Sequence, residues 1–133
     1  MRYEIPIIPV SWKAHQGYGA NSFSPRQKEK EASKIILKIL HKDRPLYNRA
    51  VRVDIFFEMP IPNNLAKSII KKIDAGEKVY HNKRPDIDNL RKFASDTLIG
   101  TVLTDDAIIV KGTTEKYYSK KPKTIIEIEE IYD

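Results

Sequence analysis

KRPDIDNLRKFASDTLIGTVLTDD, residues 83–106, carries two acidic clusters, Asp86 with Asp88 and Asp105 with Asp106, separated by one predicted helix. Pro85 disfavours helix for Arg84, so the chain is expected to run extended through Asp86, Ile87 and Asp88. In an extended segment side chains two apart share a face, which would set the two carboxylates about 7 Å apart along the backbone and within reach of one cation. Asp88 also reads as the N-cap of the helix, because Leu90, Phe93, Ala94, Thr97 and Leu98 follow at helical spacing and Gly100 stands where a helix stops. Lys92 falls one turn above Asp88. Beyond Gly100, Thr101-Val102-Leu103 reads as a short apolar return that brings Asp105-Asp106 back toward the first pair, just before the β-rich run Ile108-Ile109-Val110.

Two or three aspartates suit a hard cation such as Mg²⁺ or Mn²⁺, which prefers carboxylate and water oxygens and keeps positions open for a phosphate. Such an ion polarises a phosphoryl oxygen and activates water near neutral pH, the chemistry of metal-dependent nucleases. The competing reading is structural: an Asp before a helix caps it, and an Asp-Asp pair sits in a solvated turn. A calcium loop counted from Asp86 fails, because Arg91 stands where glycine is required and Thr97 where the closing Glu belongs.

The pattern Pro85-Asp86-Ile87-Asp88-Asn89-Leu90-x-Lys92, then Asp96, then Asp105-Asp106 before Ala107-Ile108-Ile109, resembles the RusA family of Holliday junction resolvases. The resemblance is firm from about Lys83 to Lys111, and the rest of the chain is compatible with it in length and element order. It implies a small homodimeric, Mg²⁺-dependent endonuclease that cuts four-way DNA junctions by paired symmetrical nicks in recombination and repair, often encoded by phages or prophages. By position it implies Asp86, Asp88 and Asp106 as catalytic, metal-holding acids and Lys92 as the catalytic lysine, with Asp96 as an acid that orients Lys92. The chain departs from the family at one place: some members carry a run of arginines before the first acid, whereas here Pro85 intervenes after Lys83-Arg84.

Composition narrows the field. A chain of 133 residues is one domain in size and would bury roughly two-thirds of its unfolded surface. Without cysteine there is no disulfide, thiolate nucleophile or Cys-based zinc site, and His15, His41 and His81 lack ligand spacing. A formal charge of +6 with pI near 9.4 suits a nucleic-acid partner. Pro6 and Pro9 interrupt the short N-terminal apolar stretch, and nothing approaches the ~20 apolar residues of a membrane span, so a cytoplasmic protein is expected.

The expected fold is a mixed α/β (α+β) single domain, a mixed sheet packed with helices in the order β-loop-α-β-α-α-β-β. Residues 2–10 predict a strand. Residues 11–23 predict a loop in which Trp12 either stacks on unpaired bases or tucks into the core. Ser24-Pro25-Arg26-Gln27 starts a helix, with Ala32, Ile35, Ile36, Ile39 and Leu40 as its apolar face. Val51, Val53, Ile55 and Phe57 mark the buried face of a strand that Pro60 and Pro62 end. Asn63 or Asn64 caps a second helix through Leu65, Ile69, Ile70 and Ile73, stopped by Gly76. Ile108–Tyr118 and Thr124–Tyr132 predict an antiparallel hairpin turning at residues 119–123. The densest basic region is Lys67, Lys71, Lys72, Lys78, His81, Lys83 and Arg84, of which Lys71, Lys72, Lys83 and Arg84 are the candidate phosphate contacts. A DNA-binding module for branched DNA without catalysis is the alternative function.

Overall fold

Val51–Met59 forms the longest strand and the centre of the sheet, because its alternation of Val51, Val53, Ile55, Phe57 and Met59 with more polar residues buries every second side chain. The structure, a computed structural model, describes residues 1–13 and 26–132. The elements are β1 (Arg2–Ile5), α1 (Gln27–His41), β2 (Val51–Met59), α2 (Lys67–Asp74), α3 (Ile87–Leu98), a 3₁₀ turn (Asp106–Ile108), β3 (Ile109–Lys111), β4 (Thr114–Tyr118) and β5 (Lys123–Glu130). They build one mixed five-stranded sheet in the order β1-β5-β2-β3, with β4 also paired to β2. This is the expected α+β architecture. The first strand is shorter than expected and ends before Pro6.

The core lies between one face of the sheet and the helices α1 and α3: Tyr3, Ile5, Val53, Ile55, Phe57 and Ile126 meet Leu37, Leu90, Ala94 and Leu98. No helix among the described residues is long and apolar enough to cross a membrane.

The C-terminal half departs from the expected hairpin. β4 and β5 do not pair with each other; β4 runs parallel to β2 on one side, and β5 runs antiparallel to β2 on the other. The connection passes over the end of β2, where the Ser119 amide donates to the Met59 carbonyl at 2.8 Å. The run 108–118 is also broken in two. The register against β2 shifts between Ile109 and Lys111, Gly112 then brings its backbone close against Val53, and Asp54 accepts from the Thr113 amide at 2.7 Å. Neither parallel pairing nor this close approach leaves a mark in hydrophobic alternation.

The buried face of α1 is a second correction. Ser33, Leu37 and His41 are buried, whereas Ile35, Ile39 and Leu40 of the expected apolar face are exposed. Ile35 and Ile39 stand two residues from Leu37, roughly 160° round the helix. The reason is His41: its Nε2 meets the Pro45 carbonyl at 3.0 Å and its Nδ1 the Tyr3 hydroxyl at 2.7 Å. A carbonyl can only accept, so in the neutral ring Nε2 donates and Nδ1 accepts from Tyr3. Burial, with Tyr47 adding to it, pushes the Tyr3 phenol up to about 12. A satisfied histidine can turn inward where hydropathy would place an isoleucine. Leu37→Ala is therefore expected to cost about 2–5 kcal/mol, and Ile39→Ala no more than about 0.5 kcal/mol; urea unfolding of the two variants checks the assignment.

α2 contributes no fully buried residue, and its N-cap is Ala66 rather than Asn63 or Asn64. It is a basic appendage between the end of β2 and the segment that leads to the acids.

Candidate active site

α3 begins two residues earlier than a cap at Asp88 would require. Asp86 is the N-cap, with extended backbone, and its carbonyl accepts from the Leu90 amide at 3.1 Å. Asp88 lies inside the first turn, so the two acids sit around a helix N-terminus rather than along one face of a strand. Pro85 restricts the residue before it and leaves Asp86 free to start the helix. Both carboxylates are exposed, and the N-terminal end of the helix dipole favours negative charge there.

Leu90, Ala94, Thr97 and Leu98 turn α3 inward. Arg91 fastens it to the sheet, its guanidinium donating to the Val53 carbonyl at 3.2 Å and to the Thr114 hydroxyl. Asp88, Lys92 and Asp96 recur every fourth residue, away from that buried side. The helix ends as expected: the amides of Val102 and Leu103 close on the Leu98 carbonyl, and Gly100 takes a positive φ of 77°. Tyr47 then pins the return, accepting from the Thr104 amide and donating to the Val102 carbonyl. This fixes the second acidic pair at the end of a buried turn.

Asp105 caps the 3₁₀ turn, its carboxylate accepting from the Asp106 amide at 2.8 Å. The Asp106 carboxyl is raised above the ordinary range, first by hydrogen bonding with Asp105, then by burial and the charges of Asp105 and Asp96. The second cluster thus meets the later half of α3, at Asp96. Among the described residues no three His, Asp or Glu side chains are gathered as a ready metal cage. The donors themselves suit a hard cation: exposed carboxylate oxygens, crowded with like charge at Asp106.

Lys92 stands over Trp12, its ammonium 3.4 Å from the ring centroid, and Trp12 is tied to α3 through its amide, which donates to the Asn89 carbonyl at 2.9 Å. Trp12 is half-buried and outside the core cluster. Among the described residues no ion pair joins Lys92 to Asp96, so the aromatic face takes the place expected of the acid. His15 and the rest of the loop through Pro25, with the expected helix start at Ser24, lie outside the described residues.

The basic candidates fall on two elements. Lys71 and Lys72 are exposed on α2, and Lys83 and Arg84 are exposed in the segment before Asp86. A groove of about 560 Å³ lies beside Lys83 and Arg84, lined with them by Pro60, Leu65, His81 and Tyr118 but by no residue of α2. Arg84 also lines the neighbouring cleft with Ser11, Asp86 and Asn89, so one arginine faces both. The residue missed in the sequence is Lys116 of β4, which donates to the carbonyls of Lys83 and Pro85, the latter at 2.7 Å. Nothing in TEKYY separates it from a solvated strand lysine.

His81 is buried beside Tyr118, ring centroids 5.0 Å apart, and its Nδ1 meets no hydrogen-bond partner among the described residues. Burial lowers its pKa, and the charge of Lys116 lowers it further. The unfolded chain therefore takes up a proton at higher pH than the folded one, so this contribution to stability is present above about pH 6.5 and is lost as the pH falls below that. Between about pH 7.5 and 5.5 the wild type is expected to lose more stability than His81→Gln, as read by urea unfolding at both values.

A curated relative, Uncharacterized protein YqaN of Bacillus subtilis (strain 168), is 27% identical over 92 residues, which cover 68% of this chain and 65% of that protein. The aligned stretch therefore spans less than two-thirds of the relative's length. Residues 11–129 match the family described as Endodeoxyribonuclease RusA, a span that takes in Trp12, the acid-bearing helix, the 3₁₀ turn and Lys116, and the chain belongs to that family.

Proposed function

We propose that this chain is a Mg²⁺-dependent endodeoxyribonuclease, with Mn²⁺ as an alternative ion, that resolves four-way DNA junctions by paired symmetrical nicks. The carrying observation is that the family match, over residues 11–129, covers the whole segment that bears Asp86, Asp88, Lys92 and Asp106. Asp86, Asp88 and Asp106 would hold the cation. When bound, it supplies Lewis-acid polarisation of the scissile phosphate and activation of water near neutral pH.

The chain's own residues do the rest. Lys83 and Arg84 at the groove, with Lys71 and Lys72 on the exposed side of α2, neutralise phosphates and hold the backbone against the acids, so binding weakens steeply with salt. Arg84, facing both clefts, orients the phosphate next to Asp86. Lys92 supplies positive charge to the phosphate or to the leaving oxygen, and Trp12 keeps the ammonium poised at the helix surface until substrate arrives. A homodimer would present two such sites to a pseudo-symmetric junction that needs two cuts.

The test is cleavage of a labelled synthetic four-way junction with Mg²⁺, beside linear duplex of the same sequence and an EDTA control, with light scattering for the oligomeric state. Paired nicks confined to the junction and to the Mg²⁺ reaction support the proposal. Tight binding without cutting favours the non-catalytic branched-DNA module, and no preference for the junction refutes the substrate.

A further inference from the structure

We propose that Lys116 is a positioning residue of this site: from β4 it grips the segment that leads to Asp86, and so sets where the first acid stands. The proposal rests on the nuclease reading above.

The grip has three points. The backbone carbonyl of Lys116 accepts from the His81 amide at 3.0 Å, and its ammonium donates to the carbonyls of Lys83 and Pro85. The chain bends through residues 83–85, and the three contacts hold it at residues 81, 83 and 85, up to the residue before Asp86. The pairing begins further back: the Tyr118 amide donates to the Val79 carbonyl, and Tyr80 bridges Tyr117 in antiparallel sense. Residues 79–81 thus lie along the outer edge of β4 through a single antiparallel bridge.

Where regular pairing ends, the Lys116 side chain takes over and carries the segment to the helix start. Its stem is half-buried on the strand, and of its neighbours Asp86 is the acid whose charge bears on it. An ammonium has three donors and no acceptor, so it can satisfy two carbonyls that point the same way and still face a carboxylate. No apolar or acidic residue can do this. The same grip leaves the side chain of Arg84, between the two held carbonyls, free to face the clefts.

The experiment compares wild type, Lys116→Met and Lys116→Arg by hydrogen exchange of the peptide spanning residues 82–90, Mn²⁺ titration followed by electron paramagnetic resonance, junction binding, and single-turnover cleavage. For Lys116→Met the expected results are faster exchange confined to that peptide, Mn²⁺ affinity about tenfold weaker, cleavage about a hundredfold slower, and junction affinity within about twofold of wild type. Lys116→Arg, which keeps the donors, is expected to recover cleavage to within about tenfold of wild type.

Unchanged exchange and Mn²⁺ affinity in Lys116→Met would overturn the proposal. So would global unfolding of both Lys116→Met and Lys116→Gln, which would make Lys116 a residue of general stability. A wild type that binds junctions without cutting them refutes the nuclease reading instead, and the exchange arm still decides the grip.

Discussion

Asp88→Asn is expected to leave junction binding intact and to slow Mg²⁺-dependent cleavage by about a thousandfold or more, a barrier increase of about 4 kcal/mol. The substitution keeps the shape of the side chain and removes its charge. A hard cation loses an anionic oxygen donor, and a neutral amide does not replace it. Binding has no reason to fall, because a carboxylate near the phosphate path repels it and Asn does not. The fold has little to lose either: Asp88 is exposed in the first turn of α3, where its interaction with the helix dipole amounts to about 0.3–1 kcal/mol. Single-turnover cleavage beside a binding titration separates the two effects. Cutting at the wild-type rate would remove Asp88 from the mechanism.

Gly112→Ala is expected to destabilise the protein by about 3 kcal/mol or more and to lower Tm by about 10 °C or more. A Cβ on Gly112 would stand 1.8 Å from the Val53 carbonyl oxygen and 2.6 Å from its carbon. These are backbone atoms of the central strand and cannot swing aside. The same carbonyl accepts from Arg91 of α3, and the neighbouring Ile55 amide donates to the Thr113 carbonyl. Pushing residues 112–113 away from β2 therefore loosens both the β3–β4 junction and the fastening of the acid-bearing helix. Calorimetry of Gly112→Ala reads the first effect and its cleavage rate the second. A Tm within about 2 °C of wild type would mean that the backbone can yield where the structure gives it no room.

β2 was legible in the sequence because two-residue alternation reports burial directly, and Met59 extends the face that Val51, Val53, Ile55 and Phe57 mark. α3 was legible for the same kind of reason, down to its stop at Gly100. α1 was misread because hydropathy ranks Ile35 and Ile39 above His41, whereas the fold satisfies His41 with Tyr3 and Pro45 and leaves the isoleucines outside. The C-terminal pairing was misread because strand character does not name the partner: β4 and β5 each pair with β2 and not with each other.

At the site, spacing together with the family resemblance named Asp86, Asp88, Lys92 and Asp106 as candidates, and no three acids are gathered among the described residues. Their surroundings were not readable. That Trp12 rather than Asp96 meets Lys92, that Asp96 bears on Asp106, and that a strand lysine holds the approach to Asp86 all depend on long-range placement that local spacing does not encode.

The contact between Lys92 and Trp12 also equips the protein to be watched. Trp12 is the chain's only tryptophan, so ultraviolet excitation near the red edge of protein absorption selects a single indole, and its ring carries the ammonium proposed to act on the phosphate. Emission from the unlabelled protein is therefore a direct optical gauge of whether that lysine rests on its aromatic seat or has moved to a substrate, readable in a stopped-flow instrument on the timescale of a single encounter.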